Sequence, residues 1–321
     1  MRVVLPGGSG QVGAILARWF RRKGDDVVVL SRDPKSAEWR TVQWDAQSLG
    51  PWVAEIDGAD VVINLAGRSV NCRYTPDNRE SIKQSRVQST RVIGKAIATA
   101  RKPPGVWLQS STATIYAHRY DAPNDEATGI LGGAEVDAPD TWRFSIDVAR
   151  SWEEAADETE LPMTRVVKLR SAMTMSPDPG GVFDTLLALV RRGLGGKSGD
   201  GRQYVSWIHE FDFLRAVDWI IEHEQLSGAV NLGAPNPLPN ADFMRGLRRA
   251  WGTRIGLPAS RWMLEIGAIF LKTETELILK SRRVVPGKLL QEGFRFEYPK
   301  WQEAAEELCK RWREGRVGNA A

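Results

Sequence analysis

Apolar residues fall in two rhythms along the first half of the chain. Short runs that are apolar at nearly every position, "RVVL" (2–5), "VVVL" (27–30), "VVIN" (61–64), "VWLQSS" (106–111) and "TRVVKLRS" (164–171), predict parallel strands buried on both faces. Between them the period lengthens to that of a helix. "QVGAILARWFRRK" (11–23) puts Val12, Ile15, Leu16, Trp19 and Phe20 on one face and is ended by Gly24. A second long helix is predicted over 79–102, stopped by Pro103 and Pro104. Strand and helix alternating in this way predict an α/β fold with a doubly wound parallel sheet.

The rhythm changes after residue 172. A Pro/Gly loop at 177–181 leads to a helix, then to the glycine-rich "RRGLGGKSGDGRQ" (191–203). "YVSWIHEFDFLRAVDWIIEH" (204–223) reads as a strand and a helix, and "GAVNLGAPNP" (228–237) as a late strand returning to the sheet. Residues 238–313 read as mainly helical. The expected organisation is a dinucleotide-type domain over 1–172, rejoined by 204–235, with a smaller, mostly helical substrate domain from 173–203 and 236–315.

Composition narrows the class. The 321 residues are 42% hydrophobic and 26% charged, and 44 basic against 40 acidic residues leave a net charge of +4. The basic residues are scattered and not interleaved with aromatics, which argues against nucleic acid as a partner. Two cysteines, Cys72 and Cys309, fit a reducing compartment, and three histidines without Cys or carboxylate clustering argue against a metal site. The longest apolar stretch, "WMLEIGAIFL" (262–271), is too short to span a bilayer, and Met1-Arg2 leads straight into a strand. The expectation is a soluble cytoplasmic protein, monomer or homodimer, with a small-molecule substrate.

The candidate chemistry begins at the first strand–helix junction, where Gly7, Gly10 and Gly13 recur every third residue. Gly7 permits a tight turn, Gly10 lets backbone approach a pyrophosphate, and Gly13 lets helix and strand pack closely; the N–H groups of Gln11 and Val12 would face the phosphates. A tight turn with no ligand is the alternative. The second strand ends in Ser31-Arg32, where an acidic residue would accept the ribose 2′-hydroxyl of NAD. An arginine there suits a 2′-phosphate and favours NADP over NAD. Asp33 is placed either to face the ribose or to cap the turn before Pro34.

These residues resemble a known family. The Gly7-Gly10-Gly13 spacing resembles the fingerprint of extended short-chain dehydrogenases/reductases, and "SSTATIY" (110–116) resembles the active-site strand of sugar-nucleotide epimerases. "GDGRQYVSWIHEFD" (199–212), "VNLGAPNP" (230–237) and "SRRVVPGKLLQEGFRFEYP" (281–299) resemble an atypical epimerase-like subgroup with a C-terminal domain of unknown function. The likeness spans residues 1 to about 310. One departure is Pro6, where the family commonly has a threonine.

The resemblance implies further roles. "INLAG" (63–67) is similar to the segment passing beside the cofactor, which implicates Leu65, Ala66 and Gly67. Ser110 lies on the active-site strand, and Thr112 matches the hydroxyl that orients substrate, its alternative being a cap for its own backbone. Asp45 matches an acidic residue facing adenine, with surface capping as the rival reading. The expected Tyr and Lys, four residues apart, are missing: Phe144 and Val148 fill one register, Ser145 and Ala149 the next.

Tyr116, Lys83, Arg86, Asp147 and Arg150 are the residues from which a substitute would come, and Arg86 lies on the helix flanking the cofactor. Arg202 and Gln203 are substrate candidates, with a solvated loop as the alternative for Arg202. His209 and Asp212 resemble a structural pair in which the aspartate caps the following helix. The reading is an NADP(H)-binding, atypical extended reductase acting on a small polar, sugar-like compound. A non-catalytic NADP-binding or redox-sensing protein is the alternative.

Overall fold

A computed structural model describes residues 1–136, 138–259 and 279–317. The apolar stretch 262–271 and part of the predicted helical region 238–313 lie outside the described residues. The Rossmann half runs β1 (Arg2–Pro6), α1 (Gln11–Arg22), β2 (Asp26–Ser31), β3 (Arg40–Gln43), β4 (Val61–Asn64), α2 (Pro76–Thr99), β5 (Val106–Thr112), α3 (Asp140–Asp157) and β6 (Arg165–Ser171). The rest comprises β7 (Met173–Met175), α4 (Val182–Arg191), β8 (Tyr204–Val205), β9 (Trp207–His209), α5 (Glu210–Glu222), β10 (Gly228–Leu232), β11 (Leu238–Pro239), α6 (Asn240–Trp251), α7 (Gly287–Gln291) and α8 (Trp301–Val317).

The main sheet has seven strands in the order β3-β2-β1-β4-β5-β6-β10, all parallel. The chain turns left from β1 to β2 and β3, then right to β4, so the order reverses between β1 and β4. A crevice at the carboxyl ends of these two strands is where open α/β sheets bind ligands.

Each strand divides its side chains between two cores with a period of two. Val3, Leu5, Val27 and Val29 pack with Ile15, Leu16 and Phe20 of α1 and Phe213 and Val217 of α5. Val4, Val28 and Leu30 pack the opposite way, with Val92, Ile93 and Ala96 of α2. Burial on both faces is why these strands read as continuous apolar runs.

Helix boundaries follow local chemistry. Gly24, at φ +84°, donates to Arg21 and ends α1. α2 departs from the predicted 79–102 at both ends. Thr75 caps its start by accepting from the N–H of Asn78 at 3.4 Å, with Pro76 at the first position, and the chain leaves the helix at Ala100.

The C-terminal region has its own core: Phe183, Leu187, Trp207, Phe243, Leu247, Trp301 and Trp312, with Phe243 stacked on Trp301 at 4.0 Å. Tryptophans fill this core and that beneath β3, where Trp44 meets Trp52 edge-on at 5.4 Å. Asp212 joins the two halves. It is fully buried and accepts the N–H groups of Glu297 and Tyr298 at 2.8 Å each. The expected helix cap is instead His209, whose Nδ1 accepts from Phe211 at 3.1 Å.

Candidate functional site

The glycine turn separates three jobs. Gly7 sits at φ +74°, and a Cβ there would stand 2.6 Å from the Cα of Ala66, so β1 and the end of β4 touch backbone to backbone. A Cβ on Gly13 would overlap the backbone of Gly8, so α1 seats directly on the turn. Gly10 differs: a Cβ on it would meet nothing within 4 Å. It is the N-cap of α1 and provides no side-chain cap, and the first turn carries no acidic residue. The N–H groups of Gln11 and Val12 that follow have no acceptor among the described residues and stand at the positive end of the helix dipole. The side chain of Gln11 turns away, donating to the carbonyl of Asp178 at 3.2 Å, and Arg18 pairs with the Asp178 carboxylate.

At the end of β2, Ser31 is buried and its hydroxyl closes the following turn with Asp33, accepting from its N–H at 3.3 Å and donating to its carbonyl at 3.1 Å. That hydroxyl is engaged by the chain itself. Arg32 is exposed and lines a cleft of about 580 Å³ with Gln43, Trp44, Asp45, Ser48 and Trp52. The Asp33 carboxylate turns to solvent, 3.8 Å from Lys35. Asp45 borders the same cleft, but its carboxylate caps its own turn, accepting the N–H groups of Gln47 and Ser48 at 2.9 Å each and the Ser48 hydroxyl. These bonds hold its carboxyl down at about 2. The capping reading of Asp45 is the one the geometry favours.

The end of β4 is held by Asn64, which accepts from the N–H of Ala66 at 3.1 Å and donates to Gln109 at 2.9 Å. Leu65 donates to the carbonyl of Pro6 at 2.8 Å. Gly67 lies against Arg86: a Cβ there would stand 3.1 Å from the guanidinium carbon. Burial pushes Arg86 down to about 10.

At the end of β5, side chains that the sequence offers for catalysis are occupied. The Thr112 hydroxyl oxygen accepts from the N–H of Thr114 at 3.1 Å, capping a short 3₁₀ turn over Ala113–Ile115. Tyr116 is fully buried, donating to Asn231 and accepting from Arg170, each at 3.0 Å. Arg170 in turn makes a two-pronged pair with Glu153 at 2.8 Å, and Glu153 accepts the Ser111 hydroxyl at 2.6 Å. Burial pushes the Tyr116 phenol up. It is a strut of a buried network and cannot meet a substrate, which corrects its candidacy as a proton donor. Ser110, half-buried at the strand end, accepts from the Gln109 side chain only through its carbonyl, at 3.0 Å.

On α3, Phe144 and Val148 join an apolar cluster with Tyr74 and Ile82. Lys83 is paired with Asp147 at 2.8 Å, and Arg150 donates to the carbonyl of Gly132 at 2.8 Å. On the substrate side, Gln203 is buried and donates to the carbonyl of Ser198 at 2.9 Å, so its amide shapes the loop. Arg202 is exposed, 5.7 Å from the ring of Tyr120. His209 stacks on Tyr298 and bonds Glu307 at 2.8 Å. No group of three or more metal-ligating side chains occurs, and no helix is long and apolar enough to cross a membrane, among the described residues.

The glycine turn, the strand reversal and the open helix end are those of a nucleotide-binding sheet, and sequence comparison agrees. The profile of the NAD dependent epimerase/dehydratase family matches residues 3–233. The chain belongs to this family. A domain of unknown function, DUF1731, matches residues 259–308. An epimerase family protein of Staphylococcus aureus is 29% identical over 96% of this chain and 98% of its own. Among solved structures, the human epimerase family protein SDR39U1 (isoform 2) with NADPH superposes with a TM-score of 0.83 at 27% identity, covering 97% of this chain and 99% of that one. A nucleoside-diphosphate sugar epimerase from Corynebacterium glutamicum gives a TM-score of 0.74 at 28% identity, over 97% of this chain and 58% of its own.

Within this epimerase-family chain, one contribution to the site went unassigned in the sequence. The start of the described C-terminal segment crosses the end of β5. Lys280, almost fully buried, donates to the carbonyl of Thr114 at 2.7 Å, and Arg282 to its hydroxyl at 3.1 Å. Two cations are thus delivered to the turn that Thr112 caps. "SRRVV" signals the family but carries no spacing that would tell where its cations point.

Proposed function

We propose that this epimerase-family protein binds NADP(H) and acts as an atypical oxidoreductase on a small polar, sugar-like substrate, without a Tyr-Lys relay. The observation that carries the cofactor reading is Arg32. It stands exposed at the end of β2, in a cleft of about 580 Å³, while the hydroxyl of Ser31 is taken by its own turn. A guanidinium there is matched to a 2′-phosphate. The crystal structure of the human relative with NADPH supports the same choice. The glycine turn fits a dinucleotide, since the missing side chain of Gly10 leaves open space at an uncapped helix end.

When bound, such a cofactor supplies hydride transfer. The chain's own residues hold it with backbone N–H groups at α1 and with Arg32, while Ala66 and Gly67 line its path. Thr112 is left to orient a substrate hydroxyl or carbonyl with its remaining hydroxyl hydrogen. Phe144 and Val148 occupy the helix position of the relay and can neither move a proton nor depress a pKa.

The apolar packing of Phe144 and Val148 also favours a second reading, a protein that binds NADP without turning it over. NADPH oxidation against a panel of carbonyl compounds and sugar nucleotides separates the two. Slow, saturable turnover supports the oxidoreductase; tight NADPH binding with no turnover on any of them supports the binding protein. Failure to bind NADPH defeats both.

A further inference from the structure

His118 stands three residues beyond the 3₁₀ turn that Thr112 caps. Its Nδ1 accepts the backbone N–H of Ser281 at 2.8 Å. Ser281 is itself buried and held: its hydroxyl donates to the carbonyl of Arg119 at 3.2 Å and accepts the N–H of Tyr204 at 3.0 Å. The imidazole lies against Trp142, with ring centres 4.6 Å apart, and meets Tyr120 edge-on at 5.1 Å. A flip of the ring would put a C–H where Ser281 needs an acceptor, so its orientation is fixed.

A ring nitrogen that accepts an N–H carries no proton of its own, so the neutral ring bears its proton on Nε2. Nε2 has no partner among the described residues, nor is it sealed from solvent. Burial, with Lys280 and Arg282 nearby, lowers the pKa of the ring against the opposing charges of Glu135 and Asp200. His118 is therefore a neutral, fixed hydrogen-bond donor. The two cations that disfavour a charge on the ring favour a negative acceptor beside it. Exposed Arg202 adds a third cation, 5.7 Å from the ring centre of Tyr120. Lys280 and Arg282 flank Ser281 and both reach Thr114, so three consecutive residues tie His118 to the end of β5.

We propose that His118 is a substrate-binding residue, whose Nε2–H donates to an oxyanion of the substrate, a carboxylate or a phosphate, beside Tyr120 and Trp142. This deepens the reading of a small polar substrate given above and rests on it.

The test reads both ring nitrogens of the full chain by two-bond ¹H–¹⁵N correlation NMR near neutral pH, with His118 assigned through His118→Asn. A protonated Nε2 and a bare Nδ1 are expected. Titration with inorganic phosphate, and separately with acetate, is expected to move the Nε2 signal; the anion that binds more tightly names the acidic group of the substrate. Affinities in the variants are followed through the indole N–H resonance of Trp142. His118→Asn keeps an acceptor for Ser281 but ends short of the Nε2 position. It is expected to fold and to lose about tenfold or more in anion affinity, the range for a hydrogen bond to a charged group. His118→Gln, whose amide N–H stands near the place of Nε2, is expected to recover part of that loss.

A proton on Nδ1, or a Nε2 signal that neither anion moves, overturns the proposal. Wild-type affinity for both anions in folded His118→Asn overturns it as well. If that variant does not fold, the wild-type spectra still decide. An anion response at His118 in a protein that does not bind NADPH would defeat the dinucleotide reading alone. NADPH-dependent turnover with no anion response at His118 would defeat this proposal alone.

Discussion

A Cβ on Gly7 would stand 2.6 Å from the Cα of Ala66, so the first turn of the sheet and the end of β4 meet with no side chain between them. This contact sits where the strand order reverses and brings the glycine turn and "INLAG" to one crevice, although about 60 residues separate them in the chain.

The three glycines of the turn should therefore respond differently to substitution. Gly10→Val points into open space and is expected to fold with near wild-type stability while losing NADPH binding. Gly13→Ala presses on the backbone of Gly8 and is expected to lose about 1–3 kcal/mol of stability or more. Urea denaturation beside calorimetric titration checks both; undiminished NADPH affinity in folded Gly10→Val would remove the turn from the site.

Arg32→Ala should erase cofactor preference. Charge-assisted hydrogen bonds contribute roughly 1.5–3 kcal/mol each, so NADPH should bind the wild type about tenfold to a hundredfold more tightly than NADH. Fluorescence titration of both cofactors is the check. A preference that survives in Arg32→Ala must come from elsewhere.

Restoring the Tyr-Lys pair on α3 should fail for reasons of packing. Val148 is buried beside Ile82 and Tyr74, so Val148→Lys places an ammonium among apolar groups and is expected to cost several kcal/mol. Phe144→Tyr, half-buried and edge-on to Tyr74 at 5.0 Å, should be tolerated. Wild-type turnover should lie about 10²–10⁴-fold below that of reductases with the pair. A hundredfold gain in the double variant would show instead that this face of α3 is the catalytic one.

Tyr116→Phe tests a strut. It strands Arg170 Nη1 and Asn231 Oδ1 in a buried network and is expected to cost about 1–3 kcal/mol in urea denaturation. Any turnover should keep its pH profile; loss of a basic limb would restore Tyr116 to the chemistry. Thr112→Ala should cost about 0.5–2 kcal/mol through its lost cap, so Thr112→Ser is the control that separates capping from substrate orientation.

Asp45 should titrate in the folded protein at about 2, below its usual 3.8, because Ser48 and Gln47 bond its charged form. A lowered carboxyl pKa stabilises the fold above the unfolded value. That contribution fades as pH falls from about 4 toward 2. Carbon-detected NMR titration measures the midpoint, and Ser48→Ala should raise it. A midpoint near 4 in the wild type would mean that the cap does not form.

Several site features were legible because they are local. Gly7, Gly10 and Gly13 act through the turn they build, Arg32 through its place at a strand end, and Gly24 through the helix it stops. Each involves residues within a few positions of one another, where backbone geometry alone limits the outcomes.

By itself, the sequence determined the alternation of strand and helix, the two-sided burial of the strands and the glycine turn, because periodic burial and turn chemistry are written residue by residue. Tertiary structure decided which polar groups are free. Tyr116 looked available until Asn231 and Arg170 came to it, and Gln203 until Ser198 did; Asp212 looked like a cap until Glu297 and Tyr298 reached it. Lys83 and Arg86 lie three residues apart on one helix, yet among the described residues only the first meets a carboxylate, because α3 sets Asp147 opposite Lys83 and Trp152 opposite Arg86. A hydrogen bond or ion pair depends on what packing brings within about 3 Å, and distant segments carry no local mark of that meeting.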